Sequence, residues 1–197
     1  MEVVLTINPG STSTKFALFS REEKLKCKAI DHSHDEIADM LSIKKQLPMR
    51  LKLVQDVVND WLNGHQLVAV VGRGGLIGPI ESGVYGINEE LKDVSIHCKY
   101  AIHASNLGGS LADGIAQEYD VPAFIVDPVT VDEMIPEARI SGVPEIERRS
   151  RLHTLNINAS VRKAAQELGA EKTNFNFIVV HMGGGISVAP IRKGRII

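Results

Sequence analysis

The chain has 197 residues, of which 44% are hydrophobic and 23% are charged, and its formal net charge at pH 7 is -2. This length and composition predict a globular protein with a substantial core and exclude a disordered tail. The near-neutral charge and the lack of basic runs argue against nucleic acid and membranes as partners, which leaves small-molecule chemistry as the expected function.

The pattern of apolar residues in the first third of the chain predicts a β-meander followed by helices. Strands are expected over residues 3–7, 15–19 and 25–30. Helical spacing of apolar residues covers residues 35–47 and resumes over residues 51–62. Pro48 should interrupt this helical stretch, and Asn63-Gly64 should end it.

The rest of the chain alternates strands and helices, which indicates an α/β fold. Further strands are predicted at residues 67–71, 84–87, 121–126, 175–180 and 186–189, and a final hairpin at 191–197. Helices are predicted over residues 104–118 and through Val161, Ala165 and Leu168, with Gly169 ending the second one.

A concentration of prolines between Asp127 and Pro144 is the best candidate for a domain boundary. We therefore divide the chain into a first domain, residues 1–144, and the start of a second, residues 145–197. The second domain begins with a helix, a strand, a glycine turn and another strand, which resembles the opening of the first and suggests a weak internal duplication.

The N-terminus lacks the basic segment and the long apolar core of a signal peptide, and no later stretch is apolar enough to span a bilayer. The two cysteines, Cys27 and Cys98, have no close-spaced partner, so they fit a reducing compartment. These features predict a cytoplasmic protein with two buried free thiols.

Two glycine-rich turns, residues 8–15 (NPGSTSTK) and 181–185 (HMGGG), each follow an apolar strand. Glycine and hydroxyl groups in such turns offer several donors to one phosphoryl group. The first turn is not a Walker loop, because it lacks the second glycine and the Lys-Ser/Thr ending and because a strand follows it. The alternative is an ordinary polar hairpin turn.

The segment 72–78 (GRGGLIG) has the wrong glycine spacing for a dinucleotide fingerprint, and no long helix follows it. Arg73, at the end of a buried strand, suits a carboxylate or an acyl phosphate, although a surface loop arginine is the competing interpretation. Asp127 ends a predicted parallel strand, where a carboxylate can hold magnesium or can simply cap a turn.

In their order along the chain, these motifs resemble those of the acetate and butyrate kinase family, in the superfamily that also holds sugar kinases, Hsp70-type ATPases and actin. The resemblance spans nearly all of the chain and also includes residues 103–106 (HASN), 126–128 (VDP) and 138–142 (ARISG). It implies a ribonuclease-H-like, actin-like ATPase domain with a mixed sheet, plus the start of a second, similar domain.

The resemblance also implies roles for individual residues. The catalytic residues would be Asn8, Arg73 and Asp127. Phosphate and nucleotide would bind Gly10, Ser11, Ser13, Lys15, His181, Gly183, Gly184 and Gly185. The carboxylate substrate would bind Arg73, His103 and His153, and Asp127 would hold Mg²⁺ through coordinated water.

Two positions depart from the acetate kinase pattern and favour a butyrate kinase. Acetate kinases carry a pair of histidines near His153, and Ile157 stands where the second would fall. Gly184 replaces an asparagine that is typical of acetate kinases in the second turn.

The implied reaction is reversible transfer of a phosphoryl group from ATP to a short-chain carboxylate such as butanoate, giving ADP and butanoyl phosphate. Family members are longer and form homo-oligomers, so we expect this chain to be an N-terminal portion with little activity alone. It should also expose the edge of its strand at residues 175–180 and associate.

Two alternatives stay open. A non-catalytic nucleotide-binding module of the actin or Hsp70 type would need an aspartate-based magnesium turn, against which Asn8 argues. A phosphatase on the same scaffold would need a carboxylate to orient water, and Glu81 and Glu133 are its candidates.

Overall fold

The computed structural model describes residues 1–33, 37, 43–183 and 185–197. Two compact units divide these residues: Met1–Ile77 with Val84–Val126, and Gly78–Gly83 with Asp127–Ile197. The division between these units falls at residue 127, at the start of the proline-rich region. The reason is local pairing, because Ile80 forms a parallel bridge with Val131 and accepts a hydrogen bond from the N–H of Asp132.

The first unit is built on a six-stranded mixed sheet in the order β3-β2-β1-β4-β6-β5. Its strands are β1 (Glu2–Pro9), β2 (Ser13–Ser20), β3 (Glu23–Asp31), β4 (Gln66–Arg73), β5 (Val84–Gly86) and β6 (Ala123–Val126). The pairs β1/β4 and β4/β6 are parallel and the others antiparallel. The predicted α/β class, mixed sheet and opening meander are confirmed.

The helices of the first unit are α1 (Ile43–Trp61), α2 (Glu89–Ile96), a 3-10 turn (Ala104–Asn106) and α3 (Leu107–Glu118). Apolar side chains of α1 and α3 pack on alternate residues of β1 and form one core. Alternation of buried and partly buried residues along β1 is what a strand with one core face requires.

Helix α1 runs through Pro48, so the predicted interruption is wrong. Proline removes a single N–H, whose acceptor would be the carbonyl of Lys44, and it does so early in a helix of 19 residues. Burial of Ile43, Val54 and Val58 against the sheet offsets that loss. The predicted helical residues 35, 36 and 38–42 lie outside the described part of the chain.

The sequence patterns did not predict helix α2. Its start is marked by Asn88, whose Oδ1 accepts a hydrogen bond from the N–H of Leu91 at 2.8 Å, and by Glu89 and Glu90 in the first turn. Only Ser95 of this helix is buried. An eight-residue helix with so small a buried face leaves almost no apolar periodicity to detect.

The second unit contains a three-stranded antiparallel sheet in the order β7-β8-β9. Its elements are α4 (Pro136–Arg139), α5 (Thr154–Glu167), a 3-10 turn (Lys172–Asn174), β7 (Asn176–Met182), β8 (Ile186–Arg192) and β9 (Arg195–Ile196). Helix α5 buries Ile157 and Val161 against Ala189 and Ile191 of β8. The predicted final hairpin is confirmed.

Cys27 and Cys98 are both free thiols, but neither is buried as predicted, because Cys27 is exposed and Cys98 is only partly buried. Cys27 is exposed because it lies on β3, an edge strand whose residues are mostly exposed. Among the described residues, no helix is long and apolar enough to cross a membrane.

The close approach of α3 to β4 requires glycine on both sides. A Cβ atom at Gly72 would lie 2.0 Å from the carbonyl oxygen of Gly108, whereas one at Gly86 would meet no atom within 4 Å. We expect Gly72→Ala to lower the free energy of unfolding by about 3 kcal/mol, because the backbone of α3 must move away. Gly86→Ala is the matched control in chemical denaturation, and equal losses in the two variants would contradict this packing.

The hairpin of β7 and β8 exposes one apolar face, in which Val180 pairs with Val188 and Met182 with Ile186. Ile178 on the edge strand β7 is 76% exposed. We expect concentration-dependent association in light scattering, and we expect Ile178→Lys to reduce it. Leu168→Lys, at an exposed site beyond α5, should leave association unchanged, and a monomer at all concentrations would refute the expectation.

Candidate functional site

Asn8 and Arg73 meet at the carboxyl ends of two neighbouring parallel strands. Ile7 of β1 is in register with Gly72 of β4, so the next residues of both strands lie side by side. Nη1 of Arg73 donates a hydrogen bond to Oδ1 of Asn8 at 3.3 Å. The carboxyl ends of parallel strands are the edge at which open α/β sheets bind ligands.

The loop after Arg73 is held by the HASN motif. Oδ1 of Asn106 accepts a hydrogen bond from the N–H of Leu76 at 2.9 Å, and a Cβ atom at Gly75 would lie 2.4 Å from that oxygen. The amide group of Asn106 donates in turn to the carbonyl of Ala101. These contacts fix the course of the backbone beyond Arg73.

His103 precedes the 3-10 turn, and Nδ1 of its ring accepts a hydrogen bond from the N–H of Ser105 at 3.1 Å. This bond places the proton of the neutral ring on Nε2, which can donate to a ligand oxygen. Burial, and secondarily the charge of Arg73, lowers the pKa of His103. Burial also lowers the pKa of Arg73, which stays positively charged at neutral pH.

The first glycine turn connects β1 with β2. The N–H of Gly10 donates to the carbonyl of Ser13 at 2.7 Å, which closes the turn, and Lys15 is in register with Asn8. Ser11 is exposed, and its N–H has no acceptor among the described residues. The turn therefore presents a donor to solvent beside the Asn8–Arg73 pair.

Arg50, which donates to the carbonyls of Gly10 and Ser13, and Gln46, which accepts from Arg50, were not predicted as site residues from the sequence. Both lie on α1 and are buried, with spacings of three and four residues from Ile43 and Val54. Polar residues on the apolar stripe of a helix were the available signal. The expected interruption at Pro48 concealed it.

In the second unit, the rings of His153 and His181 stack with centroids 3.9 Å apart and an interplanar angle of 14°. Nδ1 of His153 is 2.9 Å from Oγ of Ser187, and the amide of Asn156 donates to Nδ1 of His181 at 2.6 Å. Each ring is thus oriented by a hydrogen bond on Nδ1.

The second glycine turn packs against this histidine pair. The N–H of Gly183 donates to the carbonyl of Gly185, and a Cβ atom at Gly185 would lie 3.2 Å from Cε1 of His153. Gly184 lies outside the described residues. Both turns predicted in the sequence therefore exist, and each holds glycine where a side chain would crowd a neighbour.

Asp127 follows β6 directly and has a φ of 41°, in the left-handed region that asparagine and aspartate tolerate best among non-glycine residues. Its buried carboxylate accepts hydrogen bonds from Oγ of Ser82 and the N–H of Gly83 on Oδ1, and from Nδ2 of Asn158 on Oδ2. Arg162 lies 3.9 Å from Oδ2. The carboxylate thus joins three segments of the second unit.

Glu81 and Glu133, the carboxylates of the phosphatase alternative, both pair with Arg195, at 3.2 and 3.6 Å respectively. Glu133 also accepts hydrogen bonds from the N–H groups of Ser82 and Ile196. The described residues contain no cluster of three or more His, Cys, Asp or Glu side chains that could hold a metal ion.

The structure therefore sorts the predicted residues into separate groups within the two units. The first unit brings together Asn8, Arg73 and His103 beside a turn that includes Gly10, Ser11, Ser13 and Lys15. The second unit brings together His153, His181, Gly183 and Gly185, and it holds Asp127 in its own hydrogen-bonded cluster.

Two solved structures with the same fold are an acetate kinase and a propionate kinase. Acetate kinase from Porphyromonas gingivalis matches with a TM-score of 0.67 at 17% identity, over 100% of this chain and 56% of that one. Propionate kinase from Francisella tularensis matches with a TM-score of 0.65 at 20% identity, over 100% and 56%. The chain has the fold of acetate and propionate kinases, as the motifs predicted.

Sequence comparison extends the match beyond the fold. A probable butyrate kinase from Enterococcus faecalis is 47% identical over 197 residues, which are 100% of this chain and 54% of the relative. One from Listeria monocytogenes is 45% identical over 195 residues, which are 98% and 55%. No family model matches the chain. The chain is therefore homologous to these probable butyrate kinases over nearly its whole length, and it spans about half the length of the curated relatives it matches.

The electrostatic link between Arg73 and His103 is testable by titration. Burial and the nearby guanidinium lower the pKa of His103 from its ordinary value of 6.5, so we expect its ring to protonate only below that pH. Arg73→Met should raise the pKa, because a positive charge beside the ring is removed. NMR of the histidine ring protons measures this change.

Arg73→Lys is the matched control, since it keeps the charge and should change the pKa of His103 less than Arg73→Met does. Because the folded ring resists protonation, stability should fall as the pH drops below about 6.5 toward the lowered pKa. An unchanged pKa in Arg73→Met would contradict the assigned link.

Proposed function

We propose that this chain is the phosphate- and carboxylate-binding part of an ATP-dependent butyrate kinase, corresponding to an N-terminal portion of the whole enzyme. The whole enzyme would transfer a phosphoryl group reversibly between ATP and butanoate or a similar short-chain carboxylate, giving ADP and butanoyl phosphate. The observation that carries the proposal is the Asn8–Arg73 pair beside a turn with an exposed N–H donor.

Each residue of this pair has a role that follows from its hydrogen bonds. Arg73 would bind the carboxylate or acyl phosphate, because its planar guanidinium presents several donors to two oxygens at once. Oδ1 of Asn8 already accepts from Arg73, so its Nδ2 group is left to donate to the transferred phosphoryl group. An aspartate at this position would repel the same group.

The remaining residues of the first unit would complete the substrate site. Nε2 of His103 would donate to a carboxylate oxygen, since Nδ1 is occupied by Ser105. Gly10, Ser11, Ser13 and Lys15 would surround the phosphoryl group with donors and one positive charge. In phosphoryl transfer the protein mainly positions the reacting oxygens and stabilises charge, and these residues are suited to both.

The second unit would bind the phosphates of the nucleotide. In this proposal His181, Gly183, Gly184 and Gly185 would bind the nucleotide phosphates. His153, whose predicted role is to bind the carboxylate, would also support His181 through the stacked ring. Turns of consecutive backbone N–H groups bind phosphate without a cationic side chain.

Magnesium would be held through water at Asp127. The carboxylate accepts two hydrogen bonds on Oδ1 and one on Oδ2, which leaves Oδ2 with one acceptor position for a metal-bound water. Mg²⁺ keeps several waters and takes few protein ligands, so a single buried carboxylate fits it. When bound, Mg²⁺ neutralises charge on the nucleotide phosphates.

The proposed partners of the whole enzyme are an adenine nucleotide and a short-chain carboxylate, with neither nucleic acid nor membrane. We also propose a cytoplasmic homo-oligomer. The phosphatase alternative is disfavoured, because Glu81 and Glu133 are both paired with Arg195. The amide of Asn8 disfavours the actin or Hsp70 type of module.

A chimera tests the proposal most sharply. The 197 residues would replace the aligned segment of the relative from Enterococcus faecalis, which covers 54% of that protein. We expect the chimera to form butanoyl phosphate from ATP and butanoate, trapped with hydroxylamine, and the isolated chain to form little or none. In the chimera, Arg73→Met should lower kcat/KM for butanoate on the order of 100-fold.

Arg149→Met, at an exposed arginine, is the control and should leave turnover unchanged. The proposal fails if the folded chimera is inactive while the relative is active under the same conditions. It also fails if Arg73→Met turns over as fast as Arg149→Met.

A further inference from the structure

The first unit contains a fully buried arginine that has no carboxylate partner. Arg50 of α1 is 0% exposed, and none of the carboxylates in the described part of the chain pairs with it. Arginine is almost never fully buried unless it is paired, because an isolated charge loses its hydration. The uncompensated charge of Arg50 is therefore a feature that stability alone does not explain.

The guanidinium of Arg50 makes five hydrogen bonds, all to neutral oxygens. Nε and Nη2 donate to Oε1 of Gln46 at 3.1 and 3.0 Å. Nη1 donates to Oγ1 of Thr14 at 2.8 Å and to the carbonyl of Ser13 at 3.2 Å. Nη2 donates also to the carbonyl of Gly10 at 3.0 Å. Three of the five bonds therefore go to the first glycine turn and the strand that leaves it.

These bonds determine which way the turn presents its own donors. In a planar trans peptide the carbonyl and the following N–H point in opposite directions. Because the carbonyl of Gly10 faces Arg50, the N–H of Ser11 faces away from it, and that N–H has no acceptor among the described residues. The carbonyl of Ser13 accepts from both Arg50 and the N–H of Gly10, so one cation holds both ends of the turn.

Gln46 fixes the guanidinium in this position. It lies one helical turn before Arg50, is buried, and accepts two of the five hydrogen bonds on a single oxygen. Rotation of the guanidinium would break these bonds as well as those to the turn. The positive charge is thus held rigidly behind the turn, in surroundings where electrostatic interactions are poorly screened.

We propose that Arg50 is a positioning residue for anion binding: it directs the Ser11 N–H outward and supplies a buried positive charge that a phosphoryl group at the turn compensates. This inference rests on the proposed role of the turn in binding the phosphoryl group. It adds a residue from α1 to a site that otherwise comes from the carboxyl ends of β1 and β4 and the residues next to them.

The test is an NMR titration of the 197-residue chain with inorganic phosphate, followed through the Ser11 amide. We expect a weak, saturable shift in the wild-type chain and about tenfold weaker binding in Arg50→Gln. Lys44→Gln is the charge-matched control, because it removes a positive charge from the exposed side of the same helix. It should change the affinity less than twofold.

The outcomes distinguish the role of Arg50 from the role of the turn in binding phosphate. Equal phosphate affinity in folded Arg50→Gln and in the wild type overturns the role of Arg50 and leaves the turn intact. A wild-type Ser11 amide that does not respond to phosphate overturns the role of the turn itself, and that of Arg50 with it.

A measurement on the wild type covers the case in which Arg50→Gln does not fold. The Nε–H resonance of Arg50 should shift with the same midpoint as the Ser11 amide, because phosphate alters the field and the hydrogen bonds at the guanidinium. A Nε–H resonance that stays constant while Ser11 saturates overturns the proposal.

Discussion

The parallel pairing of β1 with β4 is the constraint on which the candidate site of the first unit depends. It sets Ile7 beside Gly72, so that Asn8 and Arg73 lie side by side at the carboxyl ends of their strands and form a hydrogen bond. The position of Asn8 and Arg73 also depends on α3, which packs so closely on β4 that Gly72 and Gly108 are in contact. The packing of α3 on the sheet therefore helps to fix the site residues at the edge of the sheet.

Positive charge that has no acidic partner among the described residues distinguishes the site of the first unit. Arg73 donates to an amide oxygen, and Arg50 donates only to amide, carbonyl and hydroxyl oxygens. Burial lowers the pKa of both arginines, yet arginine stays charged. A site of this kind favours an anion, because the hydration that the arginines lose on burial is compensated when the anion binds.

Much of this arrangement could be predicted from the sequence. The strands followed from apolar runs bounded by turn residues, and the end of β4 followed from the glycines around Arg73, whereas β1 continues through Asn8 to Pro9, beyond its predicted end at residue 7. The contribution of α1 to the site was not predicted, because Pro48 suggested that the helix is interrupted there. The helix nevertheless continues, since its apolar face is buried. Helix α2 was missed because its capping signal at Asn88 was not accompanied by a buried apolar face.

The surroundings of Asp127 were beyond local sequence patterns. Ser82 and Asn158 lie 45 and 31 residues away along the chain, and only tertiary structure brings their donors to the carboxylate. The stacking of His153 on His181 is of the same kind. Sequence motifs named the central residues, whereas the side chains that orient them came from distant segments without a recognisable motif.

The most direct test of the proposed function is whether the first unit binds a short-chain carboxylate at the Asn8–Arg73 pair. Titrating the ¹⁵N-labelled chain with butanoate, with butanol as a neutral control of similar size, would answer this question. The account predicts saturable shifts at Asn8, Arg73 and His103 with butanoate and not with butanol. Shifts confined to other residues, or equal shifts with both compounds, would contradict it.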